Sequence, residues 1–241
     1  EMCIRDSLDH GNEVHTFDAI KSNQYQSVMI DASHDDFENN IKRTSEVVKA
    51  AHKSGVFVEA ELGVLSGVED DISIDEKDSK YTNPNEVAEF VARTKCDSIA
   101  VAIGTSHGAY KFSGEQGIQF DILKEIQERI PNFPIVLHGG SSVNDAEIKR
   151  INMAGGQLNQ NAAGVSQEEI VKAIKYGICK INIATDTRLL WTRVHREFFR
   201  DSPELFDPIN PGKTYIEEYV KFMQQKFDLL GATGKAIEFN Q

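Results

Sequence analysis

Three of the seven histidines in this 241-residue chain share a context that the other four lack. His10, His107 and His138 each close an apolar run and each precede glycine, in DHG, SHG and LHGG. Three neutral imidazoles converging on one point, with a fourth position left open, are what a catalytic zinc site uses. The competing explanation is three unrelated histidines of a core. Glycine after each has a use of its own, because a substrate held beside a metal must approach backbone N–H groups closely. In His138-Gly139-Gly140-Ser141-Ser142, small residues and hydroxyls come just before an expected helix start at Asn144 or Asp145, a natural cradle for phosphate. His15, His52 and His195 stand in helical segments among charged neighbours and read as solvated side chains, and His34 reads as a local hydrogen-bonding group.

Carboxylates stand beside these histidines. Asp9 adjoins His10 and is placed to exchange a proton with a substrate hydroxyl. Glu69 sits in an acidic stretch and would do so only if that stretch closes over the site. Asp31 and Glu61 end apolar runs of their own; they are either metal-side carboxylates or a polar rim.

Such groups converge only if the elements carrying them end at the same place. Short apolar runs recur at 27–31 (SVMID), 56–61 (VFVEAE), 98–103 (SIAVAI), 134–138 (PIVLH) and 178–183 (ICKINI). They are continuous rather than alternating and rich in Val and Ile, as strands buried on both faces of a parallel sheet are. Between them, helical spacing predicts helices over 35–54, from Asn83-Pro84 onward, and over 120–130, 143–153, 167–176 and 185–200. Strand and helix alternate, so the class is α/β. A doubly wound sheet would gather its ligand at one switch point, whereas here Asp31, Glu61, His107, His138 and Asn182 load the end of every run, and the expectation is a (β/α)8 TIM barrel. Leu8 to Gly11 reads as the end of a sixth strand. Eight strands at about 30 residues per unit imply that two N-terminal strands, roughly 60 to 80 residues, are missing. Residues 1–7 (EMCIRDS) read as a non-native remnant, 8–241 as one incomplete barrel domain, and 67–80 as a mobile charged loop.

Composition sets outer bounds. The formal charge of −12 disfavours nonspecific binding to nucleic acid or to an anionic membrane. No apolar stretch reaches the roughly 20 residues a spanning helix needs, and a cytoplasmic location is the default expectation. Three cysteines, Cys3, Cys96 and Cys179, are too few and too separated for a disulfide framework.

Taken in order, DHG (9–11), MIDASH (29–34), EAELG (59–63), SHG (106–108), LHGGS (137–141) and KINIATD (180–186) resemble the motifs of class II fructose-bisphosphate aldolases, and the resemblance runs from Leu8 to the C-terminus. It implies zinc on His10, His107 and His138, with Asp31 and Glu61 at an alternative or second divalent-metal position. It implies that Asp9 handles the proton of the substrate C4 hydroxyl, that Glu69 is the loop acid/base, and that cleavage passes through a zinc-stabilised enediolate. Asn182 would hold dihydroxyacetone phosphate. Its phosphate would lie on Gly108, Gly139, Ser141, Ala184 and Thr185, helped by Lys111, with a monovalent cation nearby. The resemblance further implies a homodimer or homotetramer acting on a phosphorylated ketose.

Two departures bear on substrate. Ala184 stands where many fructose-specific members carry Asp or Asn and is familiar in tagatose-bisphosphate aldolases, whereas 155–169 resembles an insertion of longer fructose-bisphosphate members; fructose 1,6-bisphosphate is the expected substrate and tagatose 1,6-bisphosphate the alternative. At 206–211, FDPINP replaces a frequent Asp-Pro-Arg, so no residue is assigned to the distal phosphate. The remoter readings are a zinc-dependent barrel hydrolase, which would not need the HGGSS cradle and Asn182, and an inactive fragment.

Overall fold

A computed structural model describes residues 6–69, 72–74, 80–107 and 117–235, with the backbone alone at 66–69, 72–74 and 107. Six parallel strands form one sheet in chain order: β1 (Ser7–Gly11), β2 (Ser27–Ile30), β3 (Phe57–Leu62), β6 (Ser98–Val101), β8 (Ile135–Leu137) and β9 (Ile178–Ile181). A second sheet is built from β4 (Ser66–Glu69), β5 (Ile72–Ile74) and β7 (Ser106–His107). The helices are α1 (Glu13–Ser22), α2 (Phe37–Lys53), α3 (Pro84–Thr94), α4 (Phe120–Arg129), α5 (Asp145–Met153), α6 (Gln167–Lys175), α7 (Thr185–Asp201) and α8 (Ile209–Leu229).

The five expected runs and the sixth at Leu8–Gly11 are all strands. The charged stretch 67–80, expected to be a loop, instead contributes β4 and β5, which pair antiparallel through Gly67 with Ile74 and Glu69 with Ile72. Val68, Ile72 and Ile74 alternate with polar residues there, a two-residue period that the surrounding acids obscured in the sequence.

Local chemistry starts α2, α3 and α6 where the sequence predicts, whereas α1 and α8 lie outside the expected helices. Asp36 accepts the Asn39 N–H at 3.0 Å to open α2, and Asn83 with Pro84 in the first turn opens α3. Ser166 and Glu169 form a reciprocal capping box at α6.

Burial separates the two faces of the sheet. Val28, Ile30, Val58, Ala60, Ile99, Val101, Ile135 and Leu137 pack in the main core with the helices, while Met29, Ala100 and Val136 form a cluster of their own. Two strand spacings of about 4.8 Å lie between β2 and β6 in a flat sheet, so side chains from β2, β6 and β8 meet only if the sheet curls. Alternate strands filling a shared interior layer is the packing of a (β/α) barrel. By the same alternation, Glu59 and Glu61 lie on the inner face of β3, opposite Val58 and Ala60.

Candidate metal centre

Neighbouring residues of a regular strand point to opposite faces, so Asp9 and His10 would not share a site without a local irregularity. One is present. The β1–β2 register runs Ser7 to Ser27 and Leu8 to Val28, then resumes at Gly11 with Ile30, and His10 within the break has φ 44°. The bulge turns both side chains toward the inner face.

His10 then faces His138, Asp31 and Glu61. Its Nε2 lies 2.8 Å from Nδ1 of His138, its Nδ1 lies 3.1 Å from Asp31 Oδ2, and Glu61 Oε2 is 4.0 Å from the same Nδ1. Asp9, His10 and His138 present ligand atoms all within 4.8 Å of one another, and so do His10, Asp31 and Glu61.

A row of hydrogen bonds fixes these rings. His138, fully buried, directs Nε2 at Glu59 Oε1 across 2.8 Å, and the other oxygen of Glu59 accepts from Lys180 Nζ at 2.7 Å. The Thr105 hydroxyl donates to the His138 carbonyl at 2.8 Å. Asn182 donates from Nδ2 to Asp9 Oδ1 at 3.0 Å. With Nε2–H committed to the Glu59 carboxylate, Nδ1 of His138 carries the lone pair that faces His10.

Burial pulls the His10 pKa down, but the hydrogen bond that His10 donates to Asp31 and the charges of Glu61 and Asp9 outweigh it and leave the imidazole raised to about 9. Burial likewise opposes ionisation of Asp31, yet the bonds from His10 and Ser33 hold it well below the usual carboxylate range. Glu61 goes the other way, pushed well upward by burial and by Asp31. Burial raises Glu59 as well, and His138 with Lys180 more than reverse it.

These residues fit a divalent cation. Two ring nitrogens aimed at each other, with a carboxylate beside them, form a donor set that a proton fills at 2.8 Å and that a cation fills after a small separation. Glu61 Oε2 is a buried oxygen with no hydrogen-bond partner among the described residues, and a cation near His10 would supply one.

The remaining expected residues divide. Gly139 has φ 66°, and a Cβ on it would stand 2.6 Å from the Ser106 carbonyl oxygen, so β7 passes directly beside the LHGG turn. The backbone of His107 therefore ends next to His138; of His107 and Glu69 only the backbone is described, in β7 and β4. Gly108 and Lys111 lie outside the described residues. Ser141 reaches the start of α7, where the Asp186 N–H donates to its Oγ at 3.4 Å; Thr185 is the first residue of that helix and Ala184 the residue before it. Gly140 N–H donates to the Asn182 carbonyl at 3.0 Å, which ties the cradle to β9.

Glu59 and Lys180 escaped assignment in the sequence, although two carboxylates at a two-residue spacing in a strand buried from Val58 to Leu62 already call for cationic or N–H partners. Asp186 and Lys226 were also missed; nothing local to 226 announces a partner 40 residues away.

A family model described as fructose-bisphosphate aldolase class-II matches residues 3–235. The fructose-bisphosphate aldolase of Thermus caldophilus is 44% identical over 232 residues, covering 95% of this chain and 74% of that protein. That of Helicobacter pylori is 42% identical over 231 residues with the same coverage. Among solved structures, the YdjI aldolase from Escherichia coli K12 superposes with a TM-score of 0.68 at 30% identity, over 96% of this chain and 70% of that one.

Proposed function

Because this chain belongs to the class II fructose-bisphosphate aldolase family, we infer that it catalyses the reversible aldol cleavage of fructose 1,6-bisphosphate to dihydroxyacetone phosphate and glyceraldehyde 3-phosphate. The family is metal-dependent, and the observation that carries the reading is the facing pair His10 Nε2 and His138 Nδ1 with Asp9 in the same cluster. His10, His138 and His107 would hold Zn2+, and the passage of β7 beside Gly139 supports the third ligand. Asp31 and Glu61, sharing His10, would serve an alternative or second divalent position. When bound, the cation supplies Lewis-acid polarisation of the ketose carbonyl.

The chain's own groups do the rest. Cleavage of the C3–C4 bond begins with removal of the C4 hydroxyl proton, and the Asp9 carboxylate, held by Asn182 Nδ2, takes it and returns it in condensation. Glu69, on β4 of the small sheet, would exchange the proton at the enediolate carbon. Asn182, bonded to Asp9 and in the same segment that receives Gly140 N–H, would position the dihydroxyacetone phosphate portion. Its phosphate would rest on Gly139, Ser141, Ala184 and Thr185, at the N-terminal end of the 17-residue helix α7, where the helix dipole favours an anion. Gly108 and Lys111 would complete that pocket, with a monovalent cation alongside.

The curl of the six-stranded sheet supports a (β/α)8 barrel in which two further parallel strands stand between β1 and β9. Exposed Trp191, Ile216, Val220 and Phe227 on α7 and α8 support a homodimer or homotetramer. No helix among the described residues is long and apolar enough to cross a membrane.

The test is a coupled assay on the purified protein with fructose and tagatose 1,6-bisphosphates, alongside metal analysis. Activity on the fructose epimer that a chelator abolishes and zinc restores is expected. Chelator-resistant activity would refute the metal assignment, and preference for tagatose bisphosphate would refute the substrate.

A further inference from the structure

We propose that Lys226, on the C-terminal helix α8, is a positioning residue for the phosphate cradle, acting through Asp186; this rests on the reading that Ser141 binds substrate phosphate. Asp186 opens α7 and spends its carboxylate on the segment that follows Ser141. Oδ2 accepts Ser142 N–H at 3.1 Å and Oδ1 accepts Val143 N–H at 2.8 Å, while the Asp186 N–H donates back to Ser141 Oγ at 3.4 Å. The three consecutive residues 141–143 are therefore all bound to one aspartate. They are held against a backbone preference, since Val143 sits at φ 54°, a conformation that a β-branched residue adopts only when its surroundings impose it.

Lys226 supplies the counter-charge. Its Nζ donates to Asp186 Oδ2 at 3.0 Å, and the two side chains are only 8% and 7% exposed. Removing one partner of a buried ion pair leaves the other charge uncompensated, so without Lys226 the Asp186 side chain would lose part of what holds it against residues 141–143. The segment also has room to shift, for Ser142, Asn144, Asp186, Phe222 and Lys226 line one 690 Å³ cavity. Losing the ammonium would release 141–143 toward that cavity and carry the Ser141 hydroxyl away from the phosphate. The reacting end, around Asp9, His10 and His138, is bound by separate hydrogen bonds and would stay in place.

Steady-state kinetics of the zinc-loaded protein test this. Lys226→Met is expected to raise KM for fructose 1,6-bisphosphate at least fivefold, with kcat within twofold and zinc content unchanged. It should weaken inhibition by inorganic phosphate by a similar factor, and Lys226→Arg should restore both. Ser141→Ala, measured in parallel, separates the layers: unchanged KM there overturns the phosphate reading itself, whereas a raised KM in Ser141→Ala with an unchanged KM in Lys226→Met overturns only the role of Lys226. Equal kinetic defects in Lys226→Met and Lys226→Arg would mark a packing role and also overturn it. Should Lys226→Met fail to fold, Asp186→Asn carries the test, with the same rise expected and an unchanged KM against it.

Discussion

The ring nitrogens His10 Nε2 and His138 Nδ1 face each other across 2.8 Å although 128 residues separate them in the chain. Between neutral rings with both lone pairs inward, that approach would be repulsive, so in the absence of a cation a proton occupies the gap. The His10 pKa, raised to about 9, places that proton on His10.

Metal binding should therefore release this proton. The raised group is protonated below about pH 9, so a cation competes with the proton at neutral pH and binds more tightly as pH rises toward 9. Calorimetric zinc titrations at pH 7 in buffers of different ionisation enthalpy should differ by close to one proton per site. Identical heats would contradict the assignment.

Glu59→Gln should weaken zinc binding by about 10–100-fold, because the carboxylate that takes Nε2–H fixes both the ring orientation and the tautomer of His138. Lys180, whose side chain is 41% exposed, finds water instead. Competition with a chromogenic chelator measures the effect; an unaltered affinity would remove Glu59 from the site.

Asp9→Ala should lower turnover by about 10²–10⁴-fold, the usual worth of a positioned acid or base, while zinc remains bound. Stoichiometric zinc with unchanged turnover would end its proton-transfer role, and loss of zinc would make Asp9 a ligand instead.

Gly139→Ala should destabilise the fold by about 2 kcal/mol or more, since φ 66° disfavours any Cβ and the Ser106 carbonyl oxygen lies 2.6 Å from where that atom would go. Gly212 in α8 is the control. Nothing lies within 4 Å of its Cβ position, and Gly212→Ala should stabilise by about 1 kcal/mol through helix propensity. Urea unfolding of both variants tests the contrast; equal midpoints would refute it.

Much of this molecule was readable without coordinates. Continuous Val- and Ile-rich runs such as VFVEAE mark strands buried on both sides, and Asn83-Pro84 marks a helix start, because capping and burial patterns act over a few residues. His10 and His138 were identifiable for the same local reason, each ending such a run before glycine.

Convergence was decided elsewhere. The bulge at Asp9–His10 turns two consecutive side chains inward, and a register shift between Ile135 and Val136 sets Lys180 opposite Val136, within reach of Glu59. The sheet's curl brings β2, β6 and β8 to a common interior. Lys226 joins Asp186 only because α8 packs back along α7. By itself the sequence determined which residues could do the chemistry and which elements carry them, since those depend on side-chain type and short-range period. Tertiary structure alone decided which of them meet, since register, curl and helix docking are settled by packing between segments that the chain order does not relate.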